Sequence, residues 1–179
     1  MILYLLTHER ELNKASNTGR LVKKCLGDSV EVIVWKRTEP DLNLIELIHQ
    51  GKVAMLYPNR PSQYSASSVE LDHDATLSES GVTNNKTCES KTNVEDFELF
   101  LILDSTWQEA RKMYNRSAYL QQATKINLQV DIPSIYRKRR NQIEGGLSTA
   151  ECAIELLKQK GKQSLASELQ KDFDAFNSN

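Results

Sequence analysis

The densest group of chemically capable side chains is Asp104-Ser105-Thr106-Trp107, which follows directly on the apolar run Phe97 to Leu103. An aspartate at the end of a strand and just ahead of a helix sits at the positive end of the helix dipole, where it is placed to accept a proton or to hold a cation. A plainer reading of the same residues is that Asp104 caps the helix opening at Thr106 and that Trp107 anchors the core. Ser105 lacks the flanking glycines of a nucleophile elbow, and no P-loop or GxGxxG element occurs anywhere. Ser16-Asn17-Thr18-Gly19-Arg20-Leu21 gathers donors at a helix start, an anion site with Arg20 reaching back as clamp, or else an ordinary N-cap followed by a surface arginine.

Two further clusters lie late in the chain. Four successive cations in Tyr136-Arg137-Lys138-Arg139-Arg140 cannot all face a core, so they are either solvated or on phosphate. Leu147-Ser148-Thr149-Ala150-Glu151 follows Gly145-Gly146 and has the spacing of a capping box, with Ser148 as cap and Glu151 three residues on. The glycines also permit close backbone approach to a ligand. His8, His49 and His73 are scattered, and Cys25, Cys88 and Cys152 form no CxxC pair, so no metal-ligand spacing is present and no metal is expected.

These groups must be positioned by an alternation of strands and helices. Ile2 to Leu6 is a short apolar run of the kind buried on both faces, followed by a helix over Asn17 to Leu26 with Ser16 as its cap and Gly27 past its end. Val30 to Trp35 reads as a strand, Leu42 to His49 as a helix between Asp41 and Gly51, and Val53 to Tyr57 as a strand ended by Pro58. Periodicity fails from Asn59 to about Val94. Order returns with a strand over Phe97 to Leu103, a helix to about Asn115, a strand over Lys125 to Val130, and helices over Ser148 to Lys160 and Leu165 to Phe176. Such alternation predicts an α/β fold with a mainly parallel sheet flanked by helices. In such a sheet ligands bind beyond the carboxyl ends of the strands, where Asp104 and its neighbours fall.

At 179 residues, 39% hydrophobic and 26% charged, the chain is expected to form one domain with a real core, not a disordered or coiled-coil chain. No apolar run approaches the roughly 20 residues that cross a bilayer, and the start lacks the basic flank of a secretory signal, so a cytoplasmic protein without a membrane partner is expected. The net charge of -1 hides an uneven distribution. Pro61 to Asp96 holds two lysines against seven carboxylates, whereas Ser105 to Gln142 holds eight cations against two carboxylates. A localised basic face binds phosphate even on a neutral protein, because screening confines surface fields to about 10 Å.

Taken in order, Ser16-Asn17-Thr18-Gly19-Arg20-Leu21, Arg37-Thr38-Glu39-Pro40, Tyr57-Pro58, Leu103-Asp104-Ser105-Thr106-Trp107 with Ala110-Arg111-Lys112-Met113, and Ser148-Thr149-Ala150-Glu151 resemble the DTW-domain family of tRNA-uridine aminocarboxypropyltransferases. Each motif alone is weak; the ordered set is specific and covers most of the chain. The resemblance implies a single domain over 1–179 with a polar variable insertion at about 59–95, and a SPOUT-like fold with a trefoil knot in its carboxyl-terminal part. It implies S-adenosylmethionine as cofactor, whose 3-amino-3-carboxypropyl group goes to N3 of a tRNA uridine with release of methylthioadenosine. By the same resemblance the cofactor pocket is lined by Leu56, Tyr57, Pro58, Leu103, Asp104, Ser105, Thr106, Trp107, Leu147, Ser148, Thr149 and Glu151.

Uridine N3 is a poor nucleophile until its proton leaves, so Asp104 is expected to act as general base. Asn17, Thr18, Arg20, Arg37, Arg111, Lys112, Arg137, Lys138, Arg139 and Arg140 are expected to hold tRNA or, for Arg20 or Arg37, the methionyl carboxylate. Many family members begin with a cysteine-rich CxxC segment that this sequence lacks. Monomer and homodimer are both open. The alternatives are a SPOUT-type RNA methyltransferase and a non-catalytic RNA-binding module.

Overall fold

A computed structural model of the chain describes residues 1–57, 93–128, 134–136 and 146–178. Its centre is a parallel sheet of β1 (Ile2–His8), β2 (Val30–Trp35), β3 (Val53–Leu56), β4 (Leu99–Asp104) and β5 (Thr124–Ile126), in the order β2-β1-β4-β3-β5. The α/β fold with a mainly parallel sheet expected from the sequence is found, and every strand pairing among the described residues is parallel. The two central strands are apolar along their length, Leu3 to Leu6 and Phe100 to Leu103 all being buried, because helices cover both faces.

On one face α1 (Gly19–Leu26), α5 (Thr149–Gln159) and α6 (Gln163–Ser178) bury Val22, Leu26, Ile154, Leu157, Leu169 and Phe173 against Leu3, Leu5, Phe100 and Ile102. On the other, α2 (Leu42–His49), α3 (Trp107–Asn115) and α4 (Ala118–Gln122) bury Leu44, Ile48, Met113 and Leu120 against Tyr4, Leu6, Met55 and Leu101. Each fully buried Leu or Phe stabilises the fold by about 1.5–3 kcal/mol. Among the described residues no helix is long and apolar enough to cross a membrane.

Local chemistry sets most boundaries. Asp41 caps α2 by accepting the Leu44 amide at 2.7 Å, and Gly51, with φ +68°, turns the chain after it. Capping boxes open α3 (Thr106 with Glu109) and α5 (Ser148 with Glu151), the second as expected.

Five boundaries differ from expectation. Ser16 does not cap α1, which starts at Gly19, because the Asn17 side chain accepts the Gly19 amide at 2.6 Å and holds the preceding residues in a turn. Nor does Asp104 cap α3, since Thr106 takes that place. Strand β4 begins at Leu99, after a single 3-10 turn over Val94–Asp96. The short helix α4 carries no periodic signal of its own and is fixed by burial of Leu120. Strand β5, expected over Lys125 to Val130, ends at Ile126, and Asn127 and Leu128 lie beyond it. Most of the polar stretch expected at about 59–95 lies outside the described residues, as do residues 129 and 130.

Candidate functional site

From β1 the chain crosses to β2 at one side, and from β4 it crosses to β5 at the other, so connections diverge at the β1–β4 boundary. That boundary is the topological switch point at which open α/β sheets bind ligands. Thr7 and Asp104 are register partners there, at the carboxyl ends of the two strands.

Asp104 is 1% exposed. Its Oδ1 accepts the Thr149 hydroxyl at 2.8 Å, and its Oδ2 accepts the Thr7 hydroxyl and the Asn17 amide, both at 3.1 Å. One carboxylate therefore ties β1, the turn before α1 and the first residue of α5 to the end of β4. A carboxylate offers about four lone-pair sites. Three are filled, which leaves one acceptor position, on Oδ1, without a donor among the described residues.

Asn17 and Thr18 are buried, and their polar atoms face inward. The Asn17 amide also donates to the Glu11 carbonyl at 2.9 Å, and the Thr18 hydroxyl accepts the Ala150 amide at 3.3 Å. Both are expected from the sequence to hold tRNA; in the structure Asn17 helps frame Asp104 and Thr18 fastens the turn to the start of α5. Gly19 belongs to the same frame, since a Cβ there would lie 2.6 Å from Asp104 Oδ2.

Two depressions flank this carboxylate. A groove between α3 and α5 is lined by Leu56, Tyr57, Ile102, Leu103, Ser105, Trp107, Ala110, Leu147, Thr149 and Cys152. A hollow on the α1 face is lined by Leu5, Thr7, Leu12, Asn17, Gly19, Arg20, Lys23, Val32 and Asp104. Thr149, on Oδ1, lines the groove; Thr7 and Asn17, on Oδ2, line the hollow.

Seven of the expected pocket residues, Leu56, Tyr57, Leu103, Ser105, Trp107, Leu147 and Thr149, meet in the groove. Four others do not line it, and the first of them, Asp104, lies at the back of the hollow. Thr106 and Ser148 are occupied as helix caps. Glu151 is buried and accepts the Ser148 amide at 2.7 Å, the Ser134 hydroxyl at 2.7 and 2.9 Å and the Ile135 amide at 2.8 Å, so its carboxylate fastens residues 134–136 to α5. Arg20 stands exposed at the hollow, Arg37 lies exposed beyond β2, and Arg111 and Lys112 are exposed on α3. Tyr136, the aromatic of the basic run, points inward: its hydroxyl donates to the Ser16 carbonyl at 2.6 Å and its ring lies 5.9 Å from Phe173. Pro58, Arg137, Lys138, Arg139 and Arg140 lie outside the described residues.

Sequence reasoning missed Tyr114 and Cys152. Tyr57 stacks on Tyr114 with ring centroids 4.6 Å apart, and the Lys125 ammonium is 4.9 Å from the Tyr114 centroid. Burial pushes the Tyr57 phenol up, with Tyr114 adding to the shift and Arg111 opposing it. The Cys152 thiol is pushed up to about 12, by burial first and by the neighbouring Glu151 second. Neither contact has a local sequence signature, since each depends on how α3 and α5 are set over the sheet.

Comparison with known proteins bears on what this arrangement does. The family model described as the DTW domain matches residues 1–179. A curated relative, "tRNA-uridine aminocarboxypropyltransferase 2" of Macaca fascicularis, is 25% identical over 154 residues, which are 84% of this chain and 45% of the relative. The chain thus spans less than half the length of that relative. No solved structure matches the chain.

Proposed function

We propose, from the premise that this chain belongs to the DTW-domain family, that it is a tRNA-uridine aminocarboxypropyltransferase. The observation that carries the reading is convergence. The motifs over residues 16–21, 103–107 and 148–151, far apart in sequence, gather around one buried carboxylate at the switch point of the sheet.

The groove suits S-adenosylmethionine. Leu56, Leu103, Ala110 and Leu147 offer apolar walls, Tyr57 and Trp107 offer rings to a purine, and Ser105 and Thr149 offer hydroxyls. When bound, that molecule supplies an aminocarboxypropyl carbon activated by a sulfonium. The chain's own part is to hold donor and acceptor in line and to take a proton. Asp104 is the one carboxylate lining either depression, and its remaining acceptor position on Oδ1 suits it to receive the proton of uridine N3. Thr7, Asn17 and Thr149 would fix its plane. Exposed Arg111 and Lys112, with Arg137, Lys138, Arg139 and Arg140, would meet the tRNA backbone.

A SPOUT-like trefoil knot belongs to the same proposal. From β5 at the sheet edge the chain returns to α5, whose first residue bonds to Asp104 at the sheet centre. Pulling the chain by its two ends would reveal a knot as a persistent shortfall from the full contour length. A single domain working in the cytoplasm completes the proposal.

The test is to incubate the purified protein with unmodified tRNA and S-adenosylmethionine, then identify the small-molecule product and the mass added to the digested nucleosides. Methylthioadenosine with an aminocarboxypropyl gain on uridine is the expected result. S-adenosylhomocysteine with a methyl gain would make the protein a methyltransferase, and no reaction with any tRNA would leave RNA binding alone.

A further inference from the structure

The hollow on the α1 face plays no part in the donor groove, yet its make-up is that of a ligand site. Helix α1 has eight residues and does not cover the upper end of the β1–β2 edge, so Val32 and Val34 stand 41% and 39% exposed on the sheet face. Val32, Leu5 and Leu12 form an apolar lining, Asp104 backs it beside Thr7 and Asn17, and Arg20 and Lys23 stand on α1 at its side. Lys23 is spent on the chain itself, its ammonium donating to the Gly27 carbonyl at 2.9 Å and the Val30 carbonyl at 2.7 Å. No carboxylate of the described residues pairs with Arg20.

Charge therefore changes sign across the hollow, from a buried carboxylate to an exposed guanidinium. A simple anion is repelled from the back, and a simple cation from the opening. What fits is a molecule with a neutral polar end, a flat apolar middle and an anion at the other end, which describes a nucleoside phosphate.

We propose that this hollow binds one nucleoside phosphate unit of an RNA strand, its base over Val32 and Leu12 and its phosphate on Arg20, as a neighbour of the reacting uridine and on the other side of Asp104 from the donor. The inference rests on the RNA-acting reading above. It makes Arg20 and Val32 determinants of RNA register, and it gives the exposed Val32 of β2 a partner.

The test titrates the full chain by calorimetry with uridine 5′-monophosphate, uridine, inorganic phosphate and a short oligouridylate, with methylthioadenosine as the probe of the groove. Uridine 5′-monophosphate should bind about tenfold more tightly than uridine or phosphate, and the oligouridylate more tightly still. Arg20→Ala should bring the monophosphate down to the affinity of uridine. Val32→Glu should weaken both, and neither variant should change methylthioadenosine binding, which reports an intact fold. The proposal is overturned if both variants leave the monophosphate titration unchanged, if phosphate alone binds as well as the monophosphate, or if the oligouridylate gains nothing over it. Those outcomes with tRNA modification intact would remove the hollow and leave the transferase standing; loss of methylthioadenosine binding and of modification in the unaltered protein would remove the transferase instead.

Discussion

Gly19 is packed against Asp104 so closely that a Cβ on it would lie between 2.6 and 2.9 Å from all three atoms of the carboxylate group. The carboxylate cannot simply yield, because Thr7, Asn17 and Thr149 hold it from three other elements. Gly19→Ala should therefore force a shift of α1 or of Asp104 and cost about 1–3 kcal/mol, read as a lower urea midpoint at unchanged slope. An unchanged midpoint would show that α1 moves freely, and with it that the frame around Asp104 is loose.

Asp104→Asn keeps the shape but replaces one acceptor oxygen by a donor. In the proposed reaction turnover should fall by about 10²–10⁴-fold, the usual worth of a positioned base. Methylthioadenosine should still bind in the groove, whose lining does not include Asp104. Full turnover in this variant would end the assignment of Asp104 as base and leave it as the tie between β1, β4 and α5.

Glu151→Ala removes the acceptor of the Ser148 and Ile135 amides and of the Ser134 hydroxyl. With a capping box broken and buried donors left unpaired, the loss should be about 2–3 kcal/mol in thermal or urea unfolding. Hydrogen exchange at the Ile135 amide should rise at the same time. A variant as stable as the parent would place the anchoring of residues 134–136 elsewhere, in the Tyr136 hydroxyl bond to Ser16.

Cys152 gives a pH signature. Its thiol is raised from the ordinary 9.0 to about 12, so the folded state holds the proton more tightly than the unfolded chain does. The stability this contributes is complete below about pH 9 and is lost as pH rises toward 12, because there the unfolded state has given up its proton first. Alkaline unfolding should be shallower in Cys152→Ala. The native thiol holds its proton well above pH 8, so iodoacetamide should modify native Cys152 far more slowly than the same residue in urea. Because Cys152 lines the groove, methylthioadenosine should slow the native reaction further. Rapid native alkylation at pH 8 would contradict the raised pKa of this half-buried thiol.

Much of this protein is written locally. Val30 to Trp35 alternates with β-branched residues and is β2; Asp41 and Gly51 bracket α2; Ser148 and Glu151 open α5 through a capping box. Such features depend on side-chain period and on bonds across three or four residues, so they can be read without knowing the fold. The ordered motifs around Asn17, Asp104 and Thr149 likewise mark the family and the segments that form the site.

What each of those residues does was decided by tertiary structure. Asn17 and Thr18 look like exposed donors at a helix start, but the strand order carries β1 next to β4 and turns them inward onto Asp104 and Ala150. Glu151 looks like a ligand to a cofactor, and its carboxylate holds residues 134–136. Tyr136 looks like part of a basic surface, yet it packs beside Phe173. Gly19 shows no need for a missing side chain until Asp104 arrives from 85 positions away. Burial and partnership between distant segments depend on register and on the packing of helices over a sheet, and one linear sequence carries no local signal for either.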